Sequence, residues 1–145
     1  MTSSSHRSLA LITGGSRGLG RAAALALAAR GVDLIITYRD REAEAAAVVA
    51  QAEQAGVRAA AVPLDVADAS SFPAFAERVK ALLASRWQRE RFDYLVNNAG
   101  FGANAPLADT SEDVFDELFR VHLQAPYFLT QHLLPLIADG GRILN

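Results

Sequence analysis

Residues 13–20 read Thr-Gly-Gly-Ser-Arg-Gly-Leu-Gly, and their flanks constrain the fold more than any other stretch of the chain. Residues 9–13 (LALIT) form the continuous apolar run of a strand buried on both faces. Residues 21–30 (RAAALALAAR) have the composition of a helix, and Gly31 is placed as its stop. Strand, glycine turn and helix in that order is the opening of a βαβ unit.

The alternation continues. Residues 32–38 (VDLIITY) read as a second strand. A helix to about Ala55 follows, with Asp40 as its expected cap and Glu42 and Glu44 in its first turn. Residues 58–64 are a third strand, in which Pro63 fits only near the end. A helix over 71–86 carries Pro73 in its first turn. Residues 93–97 are a fourth strand. A long helical region capped by Thr110 or Ser111 reaches about Ala138 and is expected to bend near Pro126. Asp139, Gly140 and Gly141 read as a turn, and 142–145 begin a fifth strand. This pattern implies the α/β class: a Rossmann-type, doubly wound parallel sheet of about five strands. In such sheets ligands sit at the carboxyl ends of the strands. The loops at 14–20, 38–41, 65–68 and 98–104 are therefore expected to converge on one cleft.

Composition narrows the function. The 145 residues are 51% hydrophobic and 21% charged, which is globular rather than disordered. No cysteine is present, so disulfides and thiolate chemistry are excluded. A net charge of −2 gives no attraction to nucleic acid or anionic membrane, and neither is expected as a partner. Residues 86–92, with three arginines, a tryptophan and a phenylalanine, then read as a solvated helix end. With no signal-peptide core or membrane-length apolar span, the expected location is cytoplasmic. Residues 1–7 read as a disordered tail that includes His6, and 8–145 as the domain. No metal site is expected.

Glycines in such a loop let a pyrophosphate approach the backbone, and the N–H groups at the helix start face the anion. The spacing is not G-x-G-x-x-G. With Asn97-Asn98-Ala99-Gly100 after the fourth strand and Asp65-Val66 after the third, the pattern Thr13-Gly14-x-x-x-Gly18-x-Gly20 resembles the classical short-chain dehydrogenases/reductases. The resemblance runs from Leu9 to Asn145. It implies an NAD(P)(H)-dependent oxidoreductase acting on carbonyl or alcohol groups. By position, Gly14, Gly18 and Gly20 would line the pyrophosphate, and Leu19 would contact the nicotinamide side through its backbone. Asp65 would accept from the adenine amino group, with Val66 beside it; a cap of the next helix is the alternative for Asp65. Asn98, Ala99 and Gly100 would flank the ribose, while Thr13 and Asn97 would tie strand ends together. Phe101 is either an apolar wall or simple packing.

The resemblance also places Tyr38 where NAD-specific relatives carry a carboxylate, followed by Arg39. With Ser16 and Arg17 in the glycine loop, two guanidiniums can clamp a 2′-phosphate. Asp40, as a helix cap, should point elsewhere. NADP(H) is thus expected over NAD(H).

His122 stands where the resemblance implies an asparagine, one member of a tetrad with serine, tyrosine and lysine. The imidazole can serve that proton relay, or it can satisfy a backbone carbonyl at the helix bend. The tetrad's Tyr-x-x-x-Lys is absent: Tyr38, Tyr94 and Tyr127 are followed four residues later by Glu42, Asn98 and Gln131, and Lys80 is the only lysine. The expectation is a cofactor-binding portion truncated at a short fifth strand, lacking the carboxyl-terminal strands and helices and inactive alone. The alternatives are an NADP(H)-binding module or decayed fragment without catalysis, and a methyltransferase-like or purely structural protein. The complete protein is expected to act on a small carbonyl or alcohol substrate and to be a homo-oligomer.

Overall fold

The computed structural model describes residues 7–145. Residues 1–6, His6 among them, lie outside the described residues. Arg7, counted with the tail, is anchored: its carbonyl accepts from Arg89 at 3.1 Å.

Strands β1 (Leu9–Ile12), β2 (Asp33–Tyr38), β3 (Ala59–Pro63), β4 (Phe92–Val96) and β5 (Ile137–Leu144) form one sheet in the order β3-β2-β1-β4-β5. Every pairing is parallel. Strand order reverses at β1, which lies between β2 and β4, so a crevice opens beyond the carboxyl ends of β1 and β4.

The period of two along each apolar run divides the core. Leu9, Leu11 and Ile35 face helices α3 (Phe72–Leu82) and α5 (Ala125–Leu133), packing with Phe72, Phe75, Val79, Leu129 and Leu133. Ala10, Ile12, Leu34 and Ile36 face α1 (Gly18–Ala28) and α2 (Glu42–Gln54), packing with Ala24, Ala28, Ala45 and Val48. All the residues of β1 are buried, as a strand covered on both faces requires. At about 1.5–3 kcal/mol for each large side chain fully buried, these two layers dominate the stability.

Four elements differ from expectation. The fifth strand is eight residues long, because Asp139, Gly140 and Gly141 are absorbed into it. A register shift opposite Phe92 and Tyr94 takes up the glycines as a bulge. Asp40 does not cap α2; the helix starts one residue later, at Glu42, and Asp40 turns to Arg39 instead. The long helical region is three pieces: α4 (Glu112–Phe119), a π-helical turn over Arg120–Gln124, and α5. Ser111 caps α4 through the Val114 N–H, and Pro126 sits harmlessly in the first turn of α5. Finally, the run at 86–92 is not a solvated helix end, since Trp87 and Phe92 are buried in the core.

That burial is organised by Asp33, which is fully buried at the amino end of β2. Its carboxylate accepts from the Arg58 backbone N–H at 2.9 Å, the Arg58 guanidinium at 3.0 Å and the Trp87 indole N–H at 2.9 Å. Arg58 and Arg86 lie over the Trp87 ring at 5.9 and 5.8 Å.

No residue of α4 is buried. Phe115 is 62% exposed, Phe119 50%, Leu123 58% and Tyr127 67%, a contiguous apolar stretch from α4 into α5. In size-exclusion chromatography the 145-residue chain is therefore expected to elute ahead of its 15.5 kDa monomer position. A sharp monomeric peak with cooperative melting would contradict this.

Candidate functional site

The carboxyl ends of β1, β2 and β4 enclose a cleft of about 370 Å³, within the range of small-molecule sites. Its floor is stitched across the two central strands. Thr13 is buried, and its Oγ1 accepts from the backbone N–H groups of Asn98 and Ala99, both at 3.0 Å. The Asn98 side-chain amide returns the tie, donating to the carbonyls of Thr13 and Gly14 at 3.0 and 3.2 Å. Asn97 reaches the other way, to Thr130 Oγ1 at 3.1 Å and Asn145 at 2.7 Å. Both asparagine side chains are thus structural ties, and Asn98 presents its backbone to the cleft.

The glycine loop is held from the β2 side as well. Gly14 N–H donates to Thr37 Oγ1 at 3.1 Å, and Gly15 N–H to the Thr37 carbonyl at 2.9 Å. Gly14 has φ +67°, and a Cβ there would meet Ala99 Cα at 2.9 Å. Gly18 has φ +56° with open space around it, so conformation alone demands glycine there. At Gly20 the conformation is ordinary helix, but a Cβ would collide with the Gly14 carbonyl oxygen and the Asn98 amide nitrogen. Gly20 therefore lets α1 dock closely behind the loop and does not line the cleft.

Residue 17, an arginine, occupies the N-cap of α1 and makes no side-chain capping bond. The first N–H groups of α1 have no intrahelical partner, and they open on the cleft edge where Ser16, Arg17, Gly18 and Leu19 lie. Uncapped donors and the positive end of the helix dipole suit an anion. Leu19 is 83% exposed.

Tyr38, Arg39, Asp40 and Arg41 form the opposite wall. Arg39 Nε donates to Asp40 Oδ2 at 2.7 Å, and Arg41 pairs with Glu44 at 2.6 Å. The Asp40 hydrogen bond and charge, with smaller contributions from Asp65 and Glu117, raise the Arg39 pKa above its ordinary value. Arg39 is thus a permanent cation on the cleft wall. Asp65 and Val66 close the end nearest β3. Asp65 Oδ1 accepts from Ala67 N–H at 2.9 Å in a local turn, and Asp68, not Asp65, caps the following 3₁₀ turn.

Of the residues singled out from sequence, Gly14, Ser16, Arg17, Gly18, Leu19, Tyr38, Arg39, Asp65, Val66, Asn98, Ala99 and Gly100 lie on this cleft. His122 lies behind Gly100, in the π-helical turn, with Nε2 2.7 Å from the Phe101 carbonyl oxygen. Thr37, Leu64 and Val121 also line the cleft and were not foreseen. A threonine next to the end of an apolar strand is the one available signal, for Thr37. Among the described residues no group of three His, Asp or Glu could hold a metal, and no helix is long and apolar enough to cross a membrane.

The family model described as short chain dehydrogenase matches residues 8–145. The chain belongs to the short-chain dehydrogenase family. Within it, the chain is 35% identical over 138 residues to an L-rhamnose 1-dehydrogenase (NADP(+)) of Thermoplasma acidophilum, covering 93% of this chain and 52% of that protein. It is 32% identical to a hydroxynaphthalene reductase-like protein of Metarhizium brunneum, covering 94% and 49%. Among solved structures, the landomycin C-6 ketoreductase LanV with bound NADP and rabelomycin superposes with a TM-score of 0.89 at 34% identity, covering 94% of this chain and 56% of that one. A short-chain dehydrogenase of Burkholderia cenocepacia in complex with NADP gives 0.83 at 38% identity, covering 94% and 53%. The chain spans about half the length of the curated relatives it matches.

Proposed function

We propose that this short-chain dehydrogenase chain is the NADP(H)-binding part of an oxidoreductase that interconverts carbonyl and alcohol groups on a small molecule. One observation carries the reading: the uncapped start of α1 opens on the same cleft as Arg17 and Arg39, with Tyr38 where a ribose-binding carboxylate would favour NAD(H). The NADP in the names of one relative and two of the structural neighbours agrees with it.

When bound, the nicotinamide supplies hydride transfer. The chain's own residues bind and orient. The first N–H groups of α1 would hold the pyrophosphate, aided by the close approach that Gly14 permits. Arg39 and Arg17 would hold the 2′-phosphate by charge-assisted, bidentate-capable bonds. Asp65 and Val66 would border the adenine, and the backbone of 98–100 the nicotinamide ribose. The proton-transfer pair of the family, Tyr-x-x-x-Lys, does not occur in these 145 residues. Turnover by this chain therefore requires residues beyond them, and the complete enzyme is read as a cytoplasmic homo-oligomer.

A second reading rests on Asp40. Its carboxylate lies on the cleft, where it can accept from ribose hydroxyls and favour NAD(H). Its engagement with Arg39 weighs against that, because Oδ2 is already committed to the Arg39 Nε–H.

Fluorescence titration separates the two. The parent chain is expected to bind NADPH more tightly than NADH. Arg39→Ala should weaken NADPH about tenfold, the lower end for hydrogen bonds to charged groups because Arg39 is solvent-exposed, and leave NADH nearly unchanged. Tighter binding of NADH by the parent would sink the NADP(H) reading.

A further inference from the structure

We propose that the Thr37 hydroxyl is a further ligand-binding group of the cleft, donating its hydrogen to an oxygen of the adenosine ribose. Thr37 is the last residue but one of β2, is 1% exposed, and lines the cleft. Burying a hydroxyl is costly unless its hydrogen-bonding capacity is used, and valine would fill the same space beside Leu34, Ile35 and Ile36. A hydroxyl offers one hydrogen and two lone pairs. One lone pair of Thr37 Oγ1 accepts from Gly14 N–H at 3.1 Å. Its hydrogen has no acceptor among the described residues. Gly14 N–H is itself a donor, so that hydrogen turns away from it, and the open side is the cleft.

Thr13 makes the contrast within the same structure. It is equally buried, and its Oγ1 accepts from the Asn98 and Ala99 N–H groups, but it also reaches the Val96 carbonyl at 3.5 Å. That hydroxyl is closed within the protein, and Thr13 does not line the cleft. The hydroxyl of Thr37 is half used and faces the ligand space. Its place in the chain names the part of the ligand it meets. Gly14, at the pyrophosphate end, is its hydrogen-bond partner, and Arg39, at the 2′-phosphate end, follows two residues later. The group that covalently joins a pyrophosphate to a 2′-phosphate is the adenosine ribose, and its oxygens accept hydrogen bonds.

This assignment rests on the nucleotide reading of the cleft, but not on the choice between NADP(H) and NAD(H), which share the adenosine diphosphate. Calorimetric titration therefore uses ADP, 2′-deoxy-ADP and 3′-deoxy-ADP on the parent, Thr37→Val and Thr37→Ser, with NADPH and NADH alongside. Removing the accepting oxygen from the ligand should weaken binding to the parent about five- to tenfold, the size of one hydrogen bond. Thr37→Val should bind ADP more weakly by at least that factor and show no further loss with the same analogue. Thr37→Ser keeps the hydroxyl and should behave as the parent. A hydroxyl that only holds Gly14 gives a different result: the valine variant is weak, yet discriminates against the deoxy analogues as strongly as the parent does. That outcome, or a parent indifferent to both analogues, would overturn the proposal. Proton spectra need no variant: with ADP bound, the Thr37 hydroxyl signal should shift downfield and exchange more slowly. An unchanged signal would overturn the proposal even if Thr37→Val failed to fold. Tighter binding of NADH than of NADPH would overturn the cofactor preference and leave Thr37 standing, whereas a parent that binds none of these nucleotides would overturn both.

Discussion

Gly20→Ala is expected to cost about 3 kcal/mol and to weaken NADPH binding severely. The added methyl has nowhere to go: its neighbours are the Gly14 carbonyl oxygen and the Asn98 side-chain nitrogen, which are bonded to each other. Overpacking against flexible side chains costs about 1–3 kcal/mol, and here the obstacle is backbone on one side and an engaged amide on the other. Relief requires α1 to move away from the loop. That displaces the N–H groups of its first turn, so NADPH affinity should fall at least about a hundredfold, more than a single hydrogen bond supplies. For a chain of this size the thermal midpoint should drop roughly 10 °C. Gly18→Ala is the comparison: it meets no atom and bears only the left-handed backbone cost of about 1–2 kcal/mol. If Gly20→Ala melts and binds like Gly18→Ala, close docking of α1 is not what Gly20 provides.

The second large effect lies at the other end of the sheet. Asp33→Ala should destabilise the chain by about 3–5 kcal/mol, the usual consequence of removing one partner from a buried ion pair. The loss leaves the Trp87 indole N–H and the Arg58 backbone N–H without their acceptor. Half of the Arg58 side chain is open to water, so the guanidinium itself can be rehydrated, which argues for the lower half of that range. Urea denaturation measures the cost. Asp33 is at the amino end of β2 and the cleft at its carboxyl end, so NADPH affinity of the folded fraction should be unchanged. An Asp33→Ala chain as stable as its parent would mean that the tryptophan anchors itself by packing alone.

These two residues mark the boundary of what the sequence discloses. The sheet was legible because a strand buried on both faces must be apolar throughout, and residues 9–12 and 33–38 nearly are. The glycine loop was legible because only glycine tolerates the conformation and approach found at 14 and 18. Asp33 was not, because its partners, Arg58 and Trp87, lie 25 and 54 residues away and no spacing announces them. Asp40 misled for a related reason. An aspartate before a helix is a good cap on local grounds, but a guanidinium one residue away made the stronger bond. Asp139 to Gly141 read as a turn from composition, while pairing with β4 drew them into the sheet. At His122 both options stayed open in the sequence, since the choice depends on where the Phe101 carbonyl points. That is a property of a loop 21 residues distant.

The stitch between Thr13 and Asn98 joins residues 85 positions apart. Nothing local can assemble it, since β1 must first wait for β4. Closing so long a loop is slow and is repaid only when the two strands pair. The floor of the cleft therefore cannot form before β1 and β4 have paired. During synthesis the glycine loop emerges early as an unfinished half, and it gains its floor only after residues 97–100 have left the ribosome. Affinity for the proposed nucleotide is thus expected to report on the pairing of β1 with β4, and a ligand present during folding would reward only chains that have already made that long-range connection.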